Sequence, residues 1–517
     1  MRVNNKNIYR TAIIISFIAL NALLLFGLSK VLGYLNSGAE RSDMLHLEKE
    51  TITTYLPKIN WSSLDNPGRK MEQQALKEIE KDYLFSWYVK NNALKTNTTE
   101  GIADFYTDSA RVNLFKLVDY NKANKISIEG TTIEHNPAID FYSADGQLVV
   151  FTDRNIVEYQ KIYQDKKLVN TVTDTASYKV MMLLEDGFWR IRHIKRMSPQ
   201  AIVQDSIKPH KYFEVKGDSI MKDGKTYLIK GINYYPKNSA WDMYGDKFST
   251  DTISADFDII ANAELNTVRI FVPYEDFGKA DVQEDRLDKL EQVLDLAEEK
   301  ELAVIVTLFD FYSDYTPQNW TLTHRHAEKI VETFKNHNAI LAWDLKNEPD
   351  LDFMNRDKDN VTGWLQTLLP LIKSWDPNHL VTIGWSNPHD AVLLQDKVDF
   401  VSYHYYLNPN YFLDKYDALK VQTNKPVVLQ EFGVSSYRGF WSWFGKGENG
   451  QAEYHKKMQA VFKEKQLAFL SWTLYDFPAV PNNVAGKWPW IKNKQKKFGF
   501  LDEHGKPKPS FLYITNK

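Results

Sequence analysis

The stretch "AWDLKNEPD", residues 342–350, decides how this chain is read. An apolar approach, "AILAW" from residue 339, runs into an amide, a carboxylic acid and a proline. Proline has no N–H to give a sheet ladder, so a strand entering here ends near Asn347. Glu348 then stands at the strand's carboxyl end, where a following loop begins.

Seven other apolar runs repeat the pattern: "YLIKGINYY" (227–235), "NTVRIFV" (266–272), "LAVIVTLF" (302–309), "HLVTIGW" (379–385), "DFVSYHYY" (399–406), "PVVLQEF" (426–432) and "AFLSWTLYDF" (468–477). Between them lie stretches of helical periodicity such as "RLDKLEQVLDLAEEK" (286–300), "RHAEKIVETFKNH" (325–337), "VTGWLQTLLPLIKSW" (361–375) and "AEYHKKMQAVFKEK" (452–465). Apolar strands alternating with amphipathic helices make a parallel sheet, and eight repeats predict an α/β fold of the (β/α)8 barrel type over residues 201–517. In that architecture chemistry sits at the carboxyl ends of the strands. Glu348 falls on the rim at strand four, and Glu431 of "VVLQEFG" at strand seven. Cleavage of a glycosidic bond with retention needs two facing carboxylates roughly 5–5.5 Å apart.

Upstream, two helical stretches ("KMEQQALKEIEKDYLFSWYV", from residue 70, and "TEGIADFYTDSARVNLFKLV", from residue 99) precede four β-rich runs between residues 126 and 194, joined by turns such as "SADGQ" and "LEDGF". This predicts a smaller α+β, cone-like accessory domain over 66–200, with a linker over 36–65. His135, Asp140 and His193 lack an acid/base partner in the sequence and are expected in structural roles.

At the amino terminus, an apolar run from Ala12 to Leu28 follows Arg2, Lys6 and Arg10. The pattern predicts a transmembrane anchor over 11–35, with residues 1–10 in the cytoplasm and everything after residue 35 outside it. A cleaved signal peptide, with Ser37-Gly38-Ala39 as its cleavage site, is the competing reading, but the apolar run exceeds the usual length of roughly 7–15 residues. The absence of cysteine excludes disulfides, thiolate metal sites and a cysteine nucleophile. A formal net charge of −3 gives no basic excess, so nucleic acid is not an expected partner.

Asn347-Glu348-Pro349 closing strand four and Gln430-Glu431-Phe432-Gly433 closing strand seven resemble the clan A glycoside hydrolases, and among them family 5, the cellulase and mannanase family. The similarity extends to the terminal "FGFLDEHGKPKPSF". The α+β order, with "KVMMLLEDGFWRIRHIKRM", resembles the nuclear transport factor 2-like family in architecture. The first resemblance implies a general acid/base at Glu348, its pKa raised until the leaving oxygen takes the proton, and a nucleophile at Glu431. It also implies that Asn347 bonds the sugar 2-hydroxyl and Arg269 holds the nucleophile ionised. His404 and Tyr406 match the strand-six His-x-Tyr, with Tyr406 on Glu431, and Trp472 is the expected floor under the reacting sugar.

The family often carries histidine near the end of strand three, where this chain reads "TLFDFYSDY". Asp310 and Tyr312 are therefore candidates for sugar contacts, as are Asn233, Tyr234, Tyr235, Trp385 and the "YRGFWSWFGKGENG" loop (437–450). Gly445-x-Gly447-x-x-Gly450 is read as part of a flexible lid, because no tight strand-to-helix turn accompanies it. His324-x-His326 and "RDKDN" around Asp357 match no metal-site pattern and are expected at a solvated helix end or loop. No cofactor or metal is expected.

The resulting expectation is a membrane-anchored, extracytoplasmic retaining glycosidase acting on a β-linked polysaccharide or oligosaccharide, beside the proteins of glycan synthesis or export. Transglycosylation through the same intermediate is the nearest alternative. A noncatalytic glycan-binding or assembly protein is the alternative from another class.

Overall fold

The computed structural model describes residues 54–197, 212–439 and 445–515, together with Ser16, Phe17, Leu20, Asn21 and Leu25. Those five are helical, and the rest of the predicted anchor lies outside the described residues. Among the described residues no helix is long and apolar enough to cross a membrane.

The first unit packs helices α1 (Gln73–Thr96) and α2 (Asp108–Ala123) against an antiparallel sheet. Its strands are β2 (Ile126–Thr132), β4 (Pro137–Tyr142), β5 (Leu148–Gln164), β6 (Lys167–Glu185) and β7 (Phe188–Met197), in the order β2-β5-β6-β7 with β4 on β5. Alternation of buried and exposed residues along β5 and β6 puts one face against α1, whose Ile79, Tyr83 and Trp87 are fully covered. The expected linker is shorter than predicted: β1 (Lys58–Ile59) pairs with β3 (Glu134–His135), and Tyr55 is buried in this core. The single helix expected after residue 99 is instead a short turn, Ile102–Phe105, followed by α2. His135 is not a lone polar residue, because its Nδ1 meets Asp153 Oδ2 at 2.7 Å with both side chains fully buried. Asp140 pairs with Lys179 at 2.9 Å, and His193 is exposed.

A small sheet, β8 (Phe213–Lys216), β9 (Ser219–Lys222) and β10 (Lys225–Thr226), leads into the barrel. Phe213 and Ile220 pack on Ala303, Leu341, Leu380 and Val428 near the starts of barrel strands, so this sheet plugs the amino-terminal mouth.

Eight parallel strands then close on themselves: β11 (Lys230–Asn233), β12 (Thr267–Pro273), β13 (Ala303–Asp310), β14 (Ile340–Asn347), β15 (Leu380–Trp385), β16 (Val401–Tyr405), β17 (Val427–Phe432) and β18 (Ala468–Trp472). β18 returns to pair with β11. Nearly every strand residue is buried, as a sheet covered on both faces requires. The outer ring is α3 (Thr250–Asn262), α4 (Glu284–Glu299), α5 (Trp320–Phe334), α6 (Lys358–Trp375), α7 (Phe412–Lys420) and α8 (Gly447–Lys465), while β15 and β16 are joined through a 3-10 turn, Asp390–Val392.

Each unit has its own apolar core, and two buried residues of the first reach into that of the barrel. Ile133 and Tyr159 of the first unit belong to the barrel cluster, with the Tyr159 ring 4.2 Å from Trp320 on α5. Polar bonds flank that contact: Leu56 N–H to Thr321 Oγ1 at 3.0 Å, and the fully buried Lys161 to Asp357 at 2.9 Å and Asn360 at 2.7 Å. Asp357 thus marks the start of α6 and a contact between the units rather than a free acidic loop. His324 and His326 lie buried within α5, not at a solvated helix end, and desolvation pulls them down to about 3 and about 4.

Candidate active site

The ladder of the barrel is irregular where its strands reach the rim. Register shifts fall between Asp344 and Asn347 on β14, between Tyr403 and His404 on β16, and between Leu429 and Phe432 across β17 and β18. Such irregularities re-aim side chains. Here they turn residues of β14, β16 and β17 toward one point.

Glu348 follows β14 with a left-handed backbone, φ 47°, an uncommon conformation for a residue with a Cβ. Its N–H donates to the Gly384 carbonyl at 2.7 Å, which fixes it there, and Pro349 opens a 3-10 turn directly afterwards. Glu431 lies in β17 opposite His404 of β16. One carboxylate oxygen of each glutamate and a ring nitrogen of His404 all lie within 4.8 Å of one another.

The two carboxylates have different surroundings. Glu431 has a side chain only 7% exposed, and both of its oxygens are engaged: Oε1 by Arg269 Nη1 at 2.6 Å, Oε2 by the Tyr406 hydroxyl at 2.6 Å. Burial and the charge of Glu431 push the Tyr406 phenol well above its ordinary range, so it stays a donor even though the ring's flank is open to solvent. Glu348 has a side chain 25% exposed and takes one bond, from His404 Nδ1 at 2.8 Å.

Contrary to the expectation of a raised acid, Glu348 sits below the usual carboxylate range. Burial pushes it up, but the bond from His404 and the positive charges of His404, Arg269 and Lys346 outweigh that effect. The same contact holds His404 above its ordinary value: burial pulls the imidazole down, and Glu431 with Glu348 more than compensates. His404 thus sets its Nδ1 2.8 Å from Glu348, while its Nε2 is buried without a partner.

Arg269 on β12 is fully buried and organises the floor. Its Nε and Nη2 donate to Asp344 Oδ2 at 3.0 and 2.6 Å, and Nη2 also reaches Asn347 Oδ1 at 2.9 Å. That bond fixes the Asn347 amide by its oxygen and leaves its N–H2 to serve a ligand. Asp344 is in turn held by Thr307 Oγ1 at 2.8 Å and Gly384 N–H at 2.9 Å. A Cβ at Gly384 would stand 2.6 Å from Gln430 Oε1 and 3.0 Å from Arg269 Nη2, so only glycine fits beside this network.

Sequence reasoning passed over Asp344 and Lys346. Each was visible as a charged residue inside an otherwise apolar parallel strand, and both are buried here, Lys346 Nζ donating to the Asn347 carbonyl at 2.6 Å.

The other proposed sugar contacts separate into two groups. Trp472 stands at the end of β18, 6% exposed, with its ring 6.4 Å from Trp241 and 6.2 Å from Phe271. Asp310 stands at the end of β13 and lines a cavity beside Trp241. By contrast, Asn233 is fully buried with its amide committed, Nδ2 to the carbonyls of Gln430 and Ser471 and Oδ1 to Arg269. Tyr235 is buried against Phe271 and donates to Asp310 at 3.1 Å, and Tyr234 donates to Asp256. Trp385 is 2% exposed beneath Phe353 of the loop after β14. All four are buried, and the polar groups of Asn233, Tyr234 and Tyr235 are engaged within the protein. Gly447 and Gly450 belong to the first turns of α8, not to a lid, and residues 440–444 lie outside the described residues.

Glu348, His404 and Glu431 are also the one group of metal-type donors that converges among the described residues. Arg269 already places a permanent positive charge on Glu431, and a cation there would meet that repulsion. The donor set fits the holding of a proton.

A closed parallel barrel with two glutamates converging from its fourth and seventh strands, one locked between donors and one open to solvent, has the build of a retaining glycosidase. Residues 222–478 match the family described as Cellulase (glycosyl hydrolase family 5), and the barrel is a domain of that family and an O-glycosyl hydrolase. The chain is similar to mannan endo-1,4-beta-mannosidase A of Emericella nidulans, 23% identical over 279 residues that cover 43% of this chain and 72% of the relative. It is similar also to beta-glucuronidase of Felis catus, 23% identical over 303 residues, but spans 42% of that protein's length. Among solved structures, the exo-beta-1,4-mannosidase Op5Man5 from Opitutaceae bacterium strain TAV5 has a TM-score of 0.46 at 22% identity, covering 56% of this chain and 59% of that one.

Proposed function

We propose that this chain is a membrane-anchored retaining glycosidase that cleaves a β-linked polysaccharide outside the cytoplasmic membrane, with Glu431 as nucleophile and Glu348 as general acid/base. The observation that carries the reading is the approach of the two carboxylates to within 4.8 Å, together with the unequal grip on them. Arg269 and Tyr406 hold Glu431 by both oxygens and aim it, whereas Glu348 takes a single bond, from His404.

In the first half-reaction Glu431 attacks the anomeric carbon while the bond to the leaving oxygen breaks and Glu348 delivers a proton to that oxygen. A sugar ring over Trp472 displaces water from Glu348, which favours passage of the proton from His404 Nδ1 across the 2.8 Å bond to the carboxylate. Esterified Glu431 carries no charge, so Glu348 then takes a proton from water, whose oxygen attacks the anomeric carbon and releases Glu431. The Asn347 amide is positioned to bond the sugar 2-hydroxyl, an interaction that strengthens as positive charge develops.

The relatives named mannan endo-1,4-beta-mannosidase make a β-mannan the first substrate to try. The basic leader and apolar run of residues 2–28 support the anchored, extracytoplasmic placement, and with it a role in trimming an exported or envelope glycan. The helices laid on a long antiparallel sheet support a nuclear transport factor 2-like assignment for the first unit. Reducing-end release by the full chain from β-mannans, β-glucans, galactans and the producer's own extracellular polysaccharide, beside Glu431→Ala, tests the reading. Activity on one glycan that the substitution abolishes is expected. Release that survives in Glu431→Ala, or glycan binding without release by the wild type, would overturn it, and products longer than the substrate would assign transglycosylation instead.

A further inference from the structure

Beside the two glutamates, where the loops after β12 and β13 meet, lies a cavity of about 180 Å³. Its walls include the rings of Trp241 and Phe311 and four carboxylates, Glu275, Asp276, Asp310 and Asp314. The cavity continues the active site: Trp241 is 6.4 Å from Trp472, and Tyr235, which donates to Asp310, is likewise 6.4 Å from Trp472. A sugar ring next to the one on Trp472 would enter here.

The walls hold acceptors and no basic side chain. Of the nearby cations, Lys279 pairs with the wall's own Glu275 at 3.0 Å and Arg356 reaches Ser313 at 3.4 Å, whereas Lys346 bonds the Asn347 carbonyl and Arg269 bonds Asp344 and Glu431, and none of them bonds Asp310. Asp310 is 4% exposed, takes the Tyr235 hydroxyl on Oδ2, and has no partner for Oδ1. A buried acceptor left without a donor is costly, which marks the place where a ligand supplies one. Asp314 is occupied by Asn319 and the Thr316 N–H, and Asp276 is exposed at the mouth.

We propose that this cavity is a binding subsite for a 2-amino sugar whose amine is free and protonated, so that the glycan cleaved carries unacetylated hexosamine. This rests on the glycosidase reading above and names its substrate class. An ammonium group gives Asp310 a charge-assisted bond, about twice as strong as one from a neutral hydroxyl, and relieves the mutual repulsion of the acidic wall. An N-acetylated sugar loses that charge, and a uronate adds one of the wrong sign. Trp241 and Phe311 offer flat faces for the ring's apolar side.

The test is calorimetric titration of the full chain carrying Glu348→Gln with four tetrasaccharides: β-1,4-linked glucosamine, its N-acetylated form, cellotetraose and mannotetraose. The glucosamine tetramer is expected to bind at least tenfold more tightly than the other three, and Asp310→Asn and Asp276→Asn, each added singly, to cut that preference at least threefold. Because Asp276 is exposed, its variant decides the matter should Asp310→Asn fail to fold. No binding of the glucosamine tetramer, binding no tighter than that of the neutral tetramers, or a preference undiminished by the substitutions would overturn the proposal. Reducing-end release by the wild type is scored separately: an inactive chain that keeps the amine preference would remove the hydrolase and leave the subsite.

Discussion

Arg269 binds Glu431 and Asp344 at once, at 2.6 Å to each, with none of the guanidinium exposed. One cation thus joins the reacting carboxylate to a second carboxylate beneath it, and the planar fork is what spans the two. Arg269→Lys keeps the charge and loses the fork. It is expected to lower kcat on the order of 10²-fold and, by leaving buried anions imperfectly paired, to cost about 3–5 kcal/mol of stability. Steady-state kinetics with denaturant unfolding check this; near-normal values for both would show that the shared grip is unimportant.

The proton shared by His404 and Glu348 predicts the alkaline limb of the pH–rate profile. With the imidazole present the proton is kept into a range above the ordinary histidine value, since both glutamates hold His404 up. Without it the proton rests on Glu348 alone, and carboxylates release protons at lower pH. The alkaline limb of His404→Gln is expected to move to lower pH with a fall in kcat. An unchanged limb would mean that His404 does not carry the proton.

Asp310 predicts a pH-dependent stability of opposite sign to the usual carboxylate. Burial pushes it from 3.8 up to about 6, with Lys346, Arg269 and the Tyr235 bond pulling the other way. The folded state binds this proton more readily than the unfolded chain, so the group is least costly below pH 3.8 and costs stability as pH rises through about 6. Asp310→Asn is therefore expected to gain on the wild type between pH 4 and 7.5, by up to about 3 kcal/mol at the upper end. Thermal unfolding of both at the two pH values measures the difference, and a gap that does not widen contradicts the assignment.

Much of this was legible in the chain because local chemistry and tertiary position coincide there. Asn347-Glu348-Pro349 ends a strand by the nature of proline, and the apolar runs of the barrel lie in strands because a sheet covered on both faces has no polar side. What was not legible depends on approach through space. Asn233 reads as a rim amide but is consumed by two carbonyls and Arg269 from neighbouring strands. The glycines of 445–450 read as loop, yet α8 begins among them, because tertiary packing of Tyr454, Met458 and Phe462 outweighs their poor helix propensity. The pairing of Lys161 with Asp357 joins residues 196 apart and leaves no trace in either local sequence.

That pairing predicts a role for the first unit. Lys161 is fully buried where it meets Asp357 and Asn360, at the end of the loop that follows Glu348. Lys161→Met is expected to cost about 1–3 kcal/mol and to raise KM on long glycans with little change in kcat. A variant with unaltered stability and KM would show that the two units pack without influencing the cleft.

The most direct test of the central claim is covalent trapping of the full chain with activated 2-deoxy-2-fluoro β-mannosides and β-glucosides, followed by proteolysis and mass spectrometry. One sugar ester is expected on the peptide that carries Glu431, absent from Glu431→Ala. An ester on the peptide that carries Glu348, or turnover of the same reagents to products of inverted configuration, would contradict it.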